Sequence, residues 1–308
     1  MFDVIIIGGS FAGLSAALQL ARTRRPIAVI DAGMPRNRFA ARAHGVLAQD
    51  GKSGSAILAE ARAQLAAYPN VSQLTGTVRQ ATPGSSGKLA FSVSLDDGQL
   101  IAGRRLILAT GVRDVLPQLP GVAERWGQTV LHCPYCHGYE IGGGPIGVLG
   151  RLPASVHQAS LIADWGDVTL FTAGMPPLDD DALQLLARRN VALESTAVMA
   201  VEGNAPALSG ARLADGRLLP LRALFLAAPV QQASALAQQL GCVLEEGMMG
   251  PIVQVDAMKM TSVPGVHAAG DAARAMANIT FAMADGVMAA VGAHHALIME
   301  DGQASHRA

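Results

Sequence analysis

The chain has 308 residues, half of them apolar, with 23 Lys and Arg against 24 Asp and Glu and a formal net charge of −1. That balance excludes a disordered chain, a basic nucleic-acid binder and a protein drawn by charge to an anionic membrane, and leaves room for two domains. Three cysteines in such a length exclude a secreted disulfide framework, so cytoplasmic placement is the default expectation, with a small-molecule or protein substrate.

Phe2–Ile7 reads as a buried strand, Ala12–Arg22 as a helix and Ile27–Asp31 as a second strand, the opening of a parallel α/β sheet. The uncharged run Val4–Ala21 follows an acid and is interrupted by "IGGSFAG", so neither a signal peptide nor a membrane span is expected there. Ser53–Ala67 carries Ile57, Leu58, Ala61 and Leu65 at helical spacing, and short strands with turn signals follow from Val71 to Arg105. "LILATG" (Leu106–Gly111) is a buried strand ending in a tight turn, and "LPQLPG" (Leu116–Gly121) suits a linker.

A second strand–helix–strand follows: Ile146–Leu149, Pro153–Trp165 and Val168–Phe171. The helix Asp179–Asn190 opens on three aspartates and closes on Arg188-Arg189, matching the helix dipole at both ends. "LFLAAP" (Leu224–Pro229) echoes "LILATG" and returns the chain toward its first domain. The economical expectation is two α/β units, one inserted in the other, with a loose tail after Glu300.

"VIIIGGSFAGLSAA" places Gly8, Ser10 and Gly13 where a dinucleotide fingerprint has three glycines. Such positions permit a tight turn, close approach of a pyrophosphate and helix-on-strand packing, and the backbone N–H groups of Ser10, Phe11, Ala12 and Gly13 suit a phosphate. Asp31, followed by Ala32, ends the next strand, where a carboxylate accepts ribose hydroxyls. Near the other end, Gly270-Asp271 follows the strand Val266–Ala269, and a helix from Ile279 aims its positive end toward the same region.

"LHCPYCHGYE" holds Cys133 and Cys136 two residues apart. Structural zinc needs four ligands where this knuckle supplies two, and no second Cys-x-x-Cys exists. Inert buried thiols fit poorly with Pro134 and Tyr135 between them. Proline suits the first turn of a helix, placing Cys133 at the positive end where a thiolate is favoured. A redox dithiol is the preferred reading, with no metal site, and Cys242 a small core residue.

In this order of features the whole chain resembles the low-molecular-weight thioredoxin reductase family of FAD-dependent pyridine nucleotide-disulfide oxidoreductases. The matching pieces are Gly8–Gly13, Asp31, Ala109-Thr110-Gly111, the inserted Cys-x-x-Cys and Gly265–Asp271. The resemblance implies an α/β fold of two Rossmann-like three-layer domains, the FAD-binding domain split by a smaller nucleotide-binding-like insert. The segments are then 1–116 and 230–308 for FAD and 117–229 for the insert, with a homodimer expected. It also implies that Cys136 reacts with the flavin and Cys133 exchanges with substrate. His137 stands where the family has a proton-shuttling acid, and His44 is expected near the flavin.

The insert departs from the pattern. In "GVLGRLPASVHQA" Gly150 fits a first phosphate-loop glycine, but Leu152 occupies the middle position and Ala154-Ser155 the end. The following strand ends in Thr172, Ala173 and Gly174, neither the arginines an NADPH reader needs nor the acid of an NAD reader. An NAD(P)H site is therefore doubtful, while flavin and dithiol look intact. That combination is similar to the FAD-dependent dithiol oxidases of the gliotoxin and holomycin type, which also share the residues after the second cysteine, His137–Glu140 here. The expected activity is oxidation of a dithiol by O2. The alternatives are a thioredoxin-disulfide reductase fed by NADPH or ferredoxin, and a non-catalytic flavin redox sensor.

Overall fold

The structure, a computed structural model, describes residues 1–84 and 90–305. By contacts the chain divides into two compact units: Met1–Arg38, Ser55–Arg113 and Val230–Ala308 form one, and Phe39–Gly54 with Asp114–Pro229 the other. Residues 39–54, which the sequence places within a continuous 1–116 segment, thus group with the second unit.

In the first unit, strand β1 (Phe2–Ile7) leads through helix α1 (Phe11–Ala21) to β2 (Ile27–Asp31), then helix α2 (Gly54–Ala66) and β3 (Val71–Thr75). A meander β4 (Val78–Pro83), β5 (Phe91–Leu95) and β6 (Leu100–Leu108) completes a sheet of order β3-β2-β1-β6-β5-β4. β1 pairs in parallel with β2 and β6, and Val4, Ile5 and Ile6 are fully buried, as a strand covered on both faces requires. β6 changes partner along its length: Leu100–Gly103 pair antiparallel with β5, and Leu106–Leu108 pair parallel with Val266–Ala268. This switch brings the carboxyl ends of β1, β6 and Val266–Ala268 to one edge of the sheet.

The C-terminal helix Ile279–Ser305 lies against α1 through small residues; Ala16, Ala17, Ala289, Ala290 and Ala293 are fully buried. A Cβ on Gly286 would stand 2.1 Å from the Ala12 carbonyl oxygen, so the two backbones touch. The helix is long and apolar enough to cross a membrane by length and composition. Its buried Asp285, however, is ion-paired with Lys259 and Arg274 within the unit. It also continues through Asp301–Ser305, where a loose tail was expected; residues 306–308 lie outside the described residues. Asp301 explains the difference, pairing with Arg25 and Arg104 and fastening the helix end.

The second unit holds a five-stranded parallel sheet in the order Ala192–Glu194, Asp167–Phe171, Pro145–Leu149, Ala223–Leu226, Val130–Leu131. Helices Ala154–Ile162 and Asp180–Arg188 cover it, burying Ala159, Ile162 and Leu186 with Ile146, Val148 and Phe225. Asp179 caps the second helix, its carboxylate accepting the Ala182 N–H at 2.8 Å. The stretch Leu116–Gly121, expected as a linker, is docked. Leu116 and Leu119 pack on this unit's core, and the Pro120 carbonyl accepts the Val201 N–H at 2.9 Å.

Gly286→Ala should lower stability by about 1–3 kcal/mol, because its methyl has no space against Ala12. Urea unfolding followed by circular dichroism measures this; an unchanged midpoint contradicts the close crossing.

Candidate functional site

The glycine turn after β1 is shaped by two close approaches. Gly8 has φ +109°, and a Cβ there would lie 2.2 Å from the Ala109 carbonyl oxygen. Only glycine meets both demands. A Cβ on Gly13 would lie 1.7 Å from the Gly8 carbonyl oxygen, so the first turn of α1 sits directly on the strand end. Ser10 is the N-cap residue but contributes no side-chain capping bond, and no acid stands in the first turn of α1. The positive end of α1 and its orphan N–H groups at Phe11, Ala12 and Gly13 therefore stay available for an anion.

The other expected residues converge on the same edge. Gly270 has φ +69°, and a Cβ on it would meet the Ala12 methyl at 2.9 Å. Asp271, in the adjoining turn, accepts from Arg36 at 2.9 Å. Ala109, Thr110 and Gly111 continue from β6, with Gly111 at φ +67°. Ile279 begins the C-terminal helix, which Asn278 caps by accepting the Thr280 N–H at 2.7 Å. This is the carboxyl-end position at which parallel α/β sheets bind nucleotides.

Asp31 ends β2 beside a cleft of about 270 Å³ lined by Gly9, Val29, Asp31, Gly33, Arg62 and Thr75, among others. Ala32 is exposed just beyond it. Two features here were missed by sequence reading. Gly9 is required because a Cβ would stand 2.7 Å from that of Asp31, and Arg62 of α2 donates to Asp31 at 2.8 Å and to the Gly9 carbonyl at 3.1 Å. The double glycine was the only signal for the first, and no spacing rule signals the second. The glycine cradle, the free helix start and the acid fit the diphosphate and ribose of FAD.

In the second unit Cys133 and Cys136 are joined as a disulfide, with Cα atoms 5.4 Å apart. Cys133 is the N-cap of the helix Pro134–Ile141, with Pro134 in its first turn; the Cys133 Sγ accepts the Cys136 N–H at 3.2 Å. The helix ends at Gly142 in the left-handed conformation. Gly138 admits the Trp165 indole, 2.7 Å from where a Cβ would be, and Tyr135 meets that indole edge-on. His132 stacks on Trp126. Among the described residues no cluster of His, Cys, Asp and Glu is suited to a metal ion.

His137, next to Cys136, is half-buried. Burial pushes its pKa below the ordinary 6.5; the Glu140 carboxylate opposes this and His44 adds to it. His44, expected beside the flavin, belongs by contact to this second unit, its Nδ1 3.4 Å from Glu140 Oε1 and 3.7 Å from Asp50 Oδ1.

The strand–helix turn at Gly150 is closed. A Cβ on Gly150 would lie 2.2 Å from the Met175 Sδ, so a methionine side chain covers the glycine face. The fully buried Ser155 turns its hydroxyl back on the loop, where Oγ accepts the Arg151 and Leu152 N–H groups at 3.2 and 3.4 Å. These donors, which a phosphate loop directs at its ligand, are satisfied within the protein. At the end of the next strand Thr172 binds the Glu194 carbonyl, and Arg189 is committed to Asp164 and the Ser160 carbonyl. The loop amides and its glycine face are thus both met by the chain's own side chains. Sequence reading singled out Leu152 in this turn; the side chains that meet its amides and glycine face are those of Ser155 and Met175.

Residues 2–286 match the model of the pyridine nucleotide-disulphide oxidoreductase family. The chain is 35% identical over 299 residues to the thioredoxin reductase tcpT of Claviceps purpurea, covering 93% of this chain and 91% of that protein. Among solved structures, an oxidoreductase from Agrobacterium tumefaciens is 46% identical with TM-score 0.91, covering 97% of this chain and 99% of its own. HlmI is 37% identical with TM-score 0.93, covering 99% and 95%.

Asp31→Ala removes a carboxylate acceptor from the cleft and should weaken FAD binding by about 2 kcal/mol, roughly thirtyfold. Equilibrium titration of the apoprotein with FAD checks this; unchanged affinity places the ribose elsewhere.

Proposed function

From the premise that the chain belongs to the pyridine nucleotide-disulphide oxidoreductase family, and is a thioredoxin-reductase-like, FAD-dependent disulfide oxidoreductase, we propose that it oxidises dithiols to disulfides with O2 as terminal acceptor. The observation that carries this reading is the Gly150–Ser155 turn, whose N–H groups are bonded to Ser155 and whose glycine face is covered by Met175. A protein with an electron-accepting disulfide and no fitting nicotinamide site draws its electrons from the thiol side.

The chain's own residues support that direction. A substrate thiolate attacks Cys133, the N-cap residue of the dithiol helix, and Cys136 leaves with the electron pair of the broken disulfide. The second substrate sulfur then displaces Cys133, closing the substrate disulfide and leaving the enzyme dithiol. His137, held neutral by burial below the ordinary imidazole value, takes the thiol proton. FAD, bound by the first unit through Gly8–Gly13, Asp31 and Gly270-Asp271, supplies two-electron acceptance from the dithiol and reoxidation by O2.

Relatives named thioredoxin reductases favour a second reading, reduction of a protein disulfide with electrons from NADPH or ferredoxin. The two readings separate in an anaerobic cuvette. Dithiothreitol should bleach the flavin while NADPH at physiological concentration leaves it yellow, and in air dithiothreitol should drive steady O2 consumption. Rapid bleaching by NADPH overturns the oxidase reading. Cys136→Ser should abolish O2 consumption; turnover that survives it removes the dithiol from the mechanism.

A further inference from the structure

The helix that carries the disulfide also carries Glu140, one turn beyond His137, and the segment 39–54 of the same unit lays His44 against it. His44 Nδ1 lies 3.4 Å from Glu140 Oε1, and Asp50 faces His44 from the same segment at 3.7 Å. The Asp50 carboxylate is itself fixed by the Gly45 N–H at 2.7 Å. His44 is held with its side chain four-fifths covered, although the segment around it contains no helix or strand of its own. No hydrogen bond joins any of these described groups to sulfur, and the part assigned to them here passes through His137.

Dithiol exchange asks two things of one imidazole. As the first substrate sulfur bonds to Cys133, its proton passes to His137 and Cys136 leaves as a thiolate. His137 must then return that proton to Cys136 and become neutral again. The second substrate thiol gives up its proton to His137 as its sulfur bonds to the first, and Cys133 leaves as a thiolate to which His137 returns that proton. One substrate S–S bond has formed, the enzyme S–S bond has broken, and the electron pair rests on the cysteines. The base has to accept and release within one turnover, so it can be neither too weak nor permanently charged.

We propose that Glu140 and His44 are opposed positioning residues for His137, together setting it to take and return a substrate thiol proton twice in each turnover. This rests on the dithiol chemistry proposed above. Glu140 favours the protonated imidazole and His44 disfavours it, and each is held by the other. The groups acting on His137 are Glu140 on its own helix and His44 on the 39–54 segment, with Asp50 behind His44.

The test is the pH dependence of Cys133–Cys136 reduction by dithiothreitol in the FAD-loaded protein, read by acid quench, alkylation and mass spectrometry, beside a ring-nitrogen NMR titration of His137. Glu140→Gln should move the His137 titration and the acid limb of the rate to lower pH, and His44→Gln should move both to higher pH. His44→Asn, which likewise puts a neutral amide in place of the imidazole, should shift in the same direction as His44→Gln and serves if that variant fails to fold. Shifts of one sign in Glu140→Gln and His44→Gln, or no shift, overturn the proposal, since a merely structural pair would not separate them. Neither readout depends on O2 or on a nicotinamide coenzyme. Failure of the oxidase reading would appear in NADPH bleaching and O2 consumption, and failure of this one in the titrations alone.

Discussion

The first unit depends on one crowded place, where the start of α1 rests on the carbonyl of Gly8. With no Cβ on Gly13, and with Gly8 turned to φ +109° beneath the Ala109 carbonyl, a helix N-terminus lies directly over the end of a buried strand. Its orphan N–H groups need acceptors, and the last carbonyl of that strand, Ile7, already accepts the Ala109 N–H. A donor set that cannot pair internally, at the positive end of a helix without an acid in its first turn, is an anion site by construction. The Ala12 carbonyl against Gly286 and the Ala12 methyl against Gly270 extend the same crowding to the C-terminal elements. The two sequence-distant halves of the unit thereby meet at the backbone.

The second unit has the same strand–turn–helix and the opposite solution. At Gly150 the turn is as tight, but the helix start is answered from within: Ser155 is fully buried and its hydroxyl takes two loop amides. A serine hydroxyl is a modest acceptor, and these bonds at 3.2 and 3.4 Å are long. Together with Met175 they occupy the amides and the glycine face of this turn. At the start of the short helix beginning at Pro134 the Cys136 N–H is likewise answered from within, by the sulfur of the N-cap residue Cys133.

What was legible in the sequence is what backbone geometry enforces. Glycine at 8 and 13 and proline at 134 are answers to local steric questions, and their spacing announces the turn and the helix before any fold is known. What was not legible depends on side chains distant in the chain. Arg62 reaches Asp31 across 31 residues, Arg36 reaches Asp271 across 235, and Met175 fills a gap left by Gly150. The grouping of residues 39–54 with the second unit was hidden for the same reason. Its polar, turn-rich sequence carries no periodicity, and its attachment runs through single side chains such as His44. The C-terminal residues misled in the other direction: polar Asp301 suggested a loose end, yet its carboxylate ties the last turn to Arg25 and Arg104.

A histidine beside the second cysteine has a consequence that an aspartate there would not. A carboxylate left uncompensated by burial becomes a stronger base, whereas burial makes an imidazole a weaker one, because burial always disfavours the charged form. His137 is on the weak side of its ordinary value for that reason, and a base so weakened needs a nearby anion to remain useful. Glu140, one helical turn on, is such an anion, and it is kept from over-correcting by an imidazole that shares it. The replacement of one residue type by another at position 137 is thus chemically coherent only with its neighbours at 140 and 44. On the reading proposed here, the dithiol helix and the segment that carries His44 form one acid–base unit.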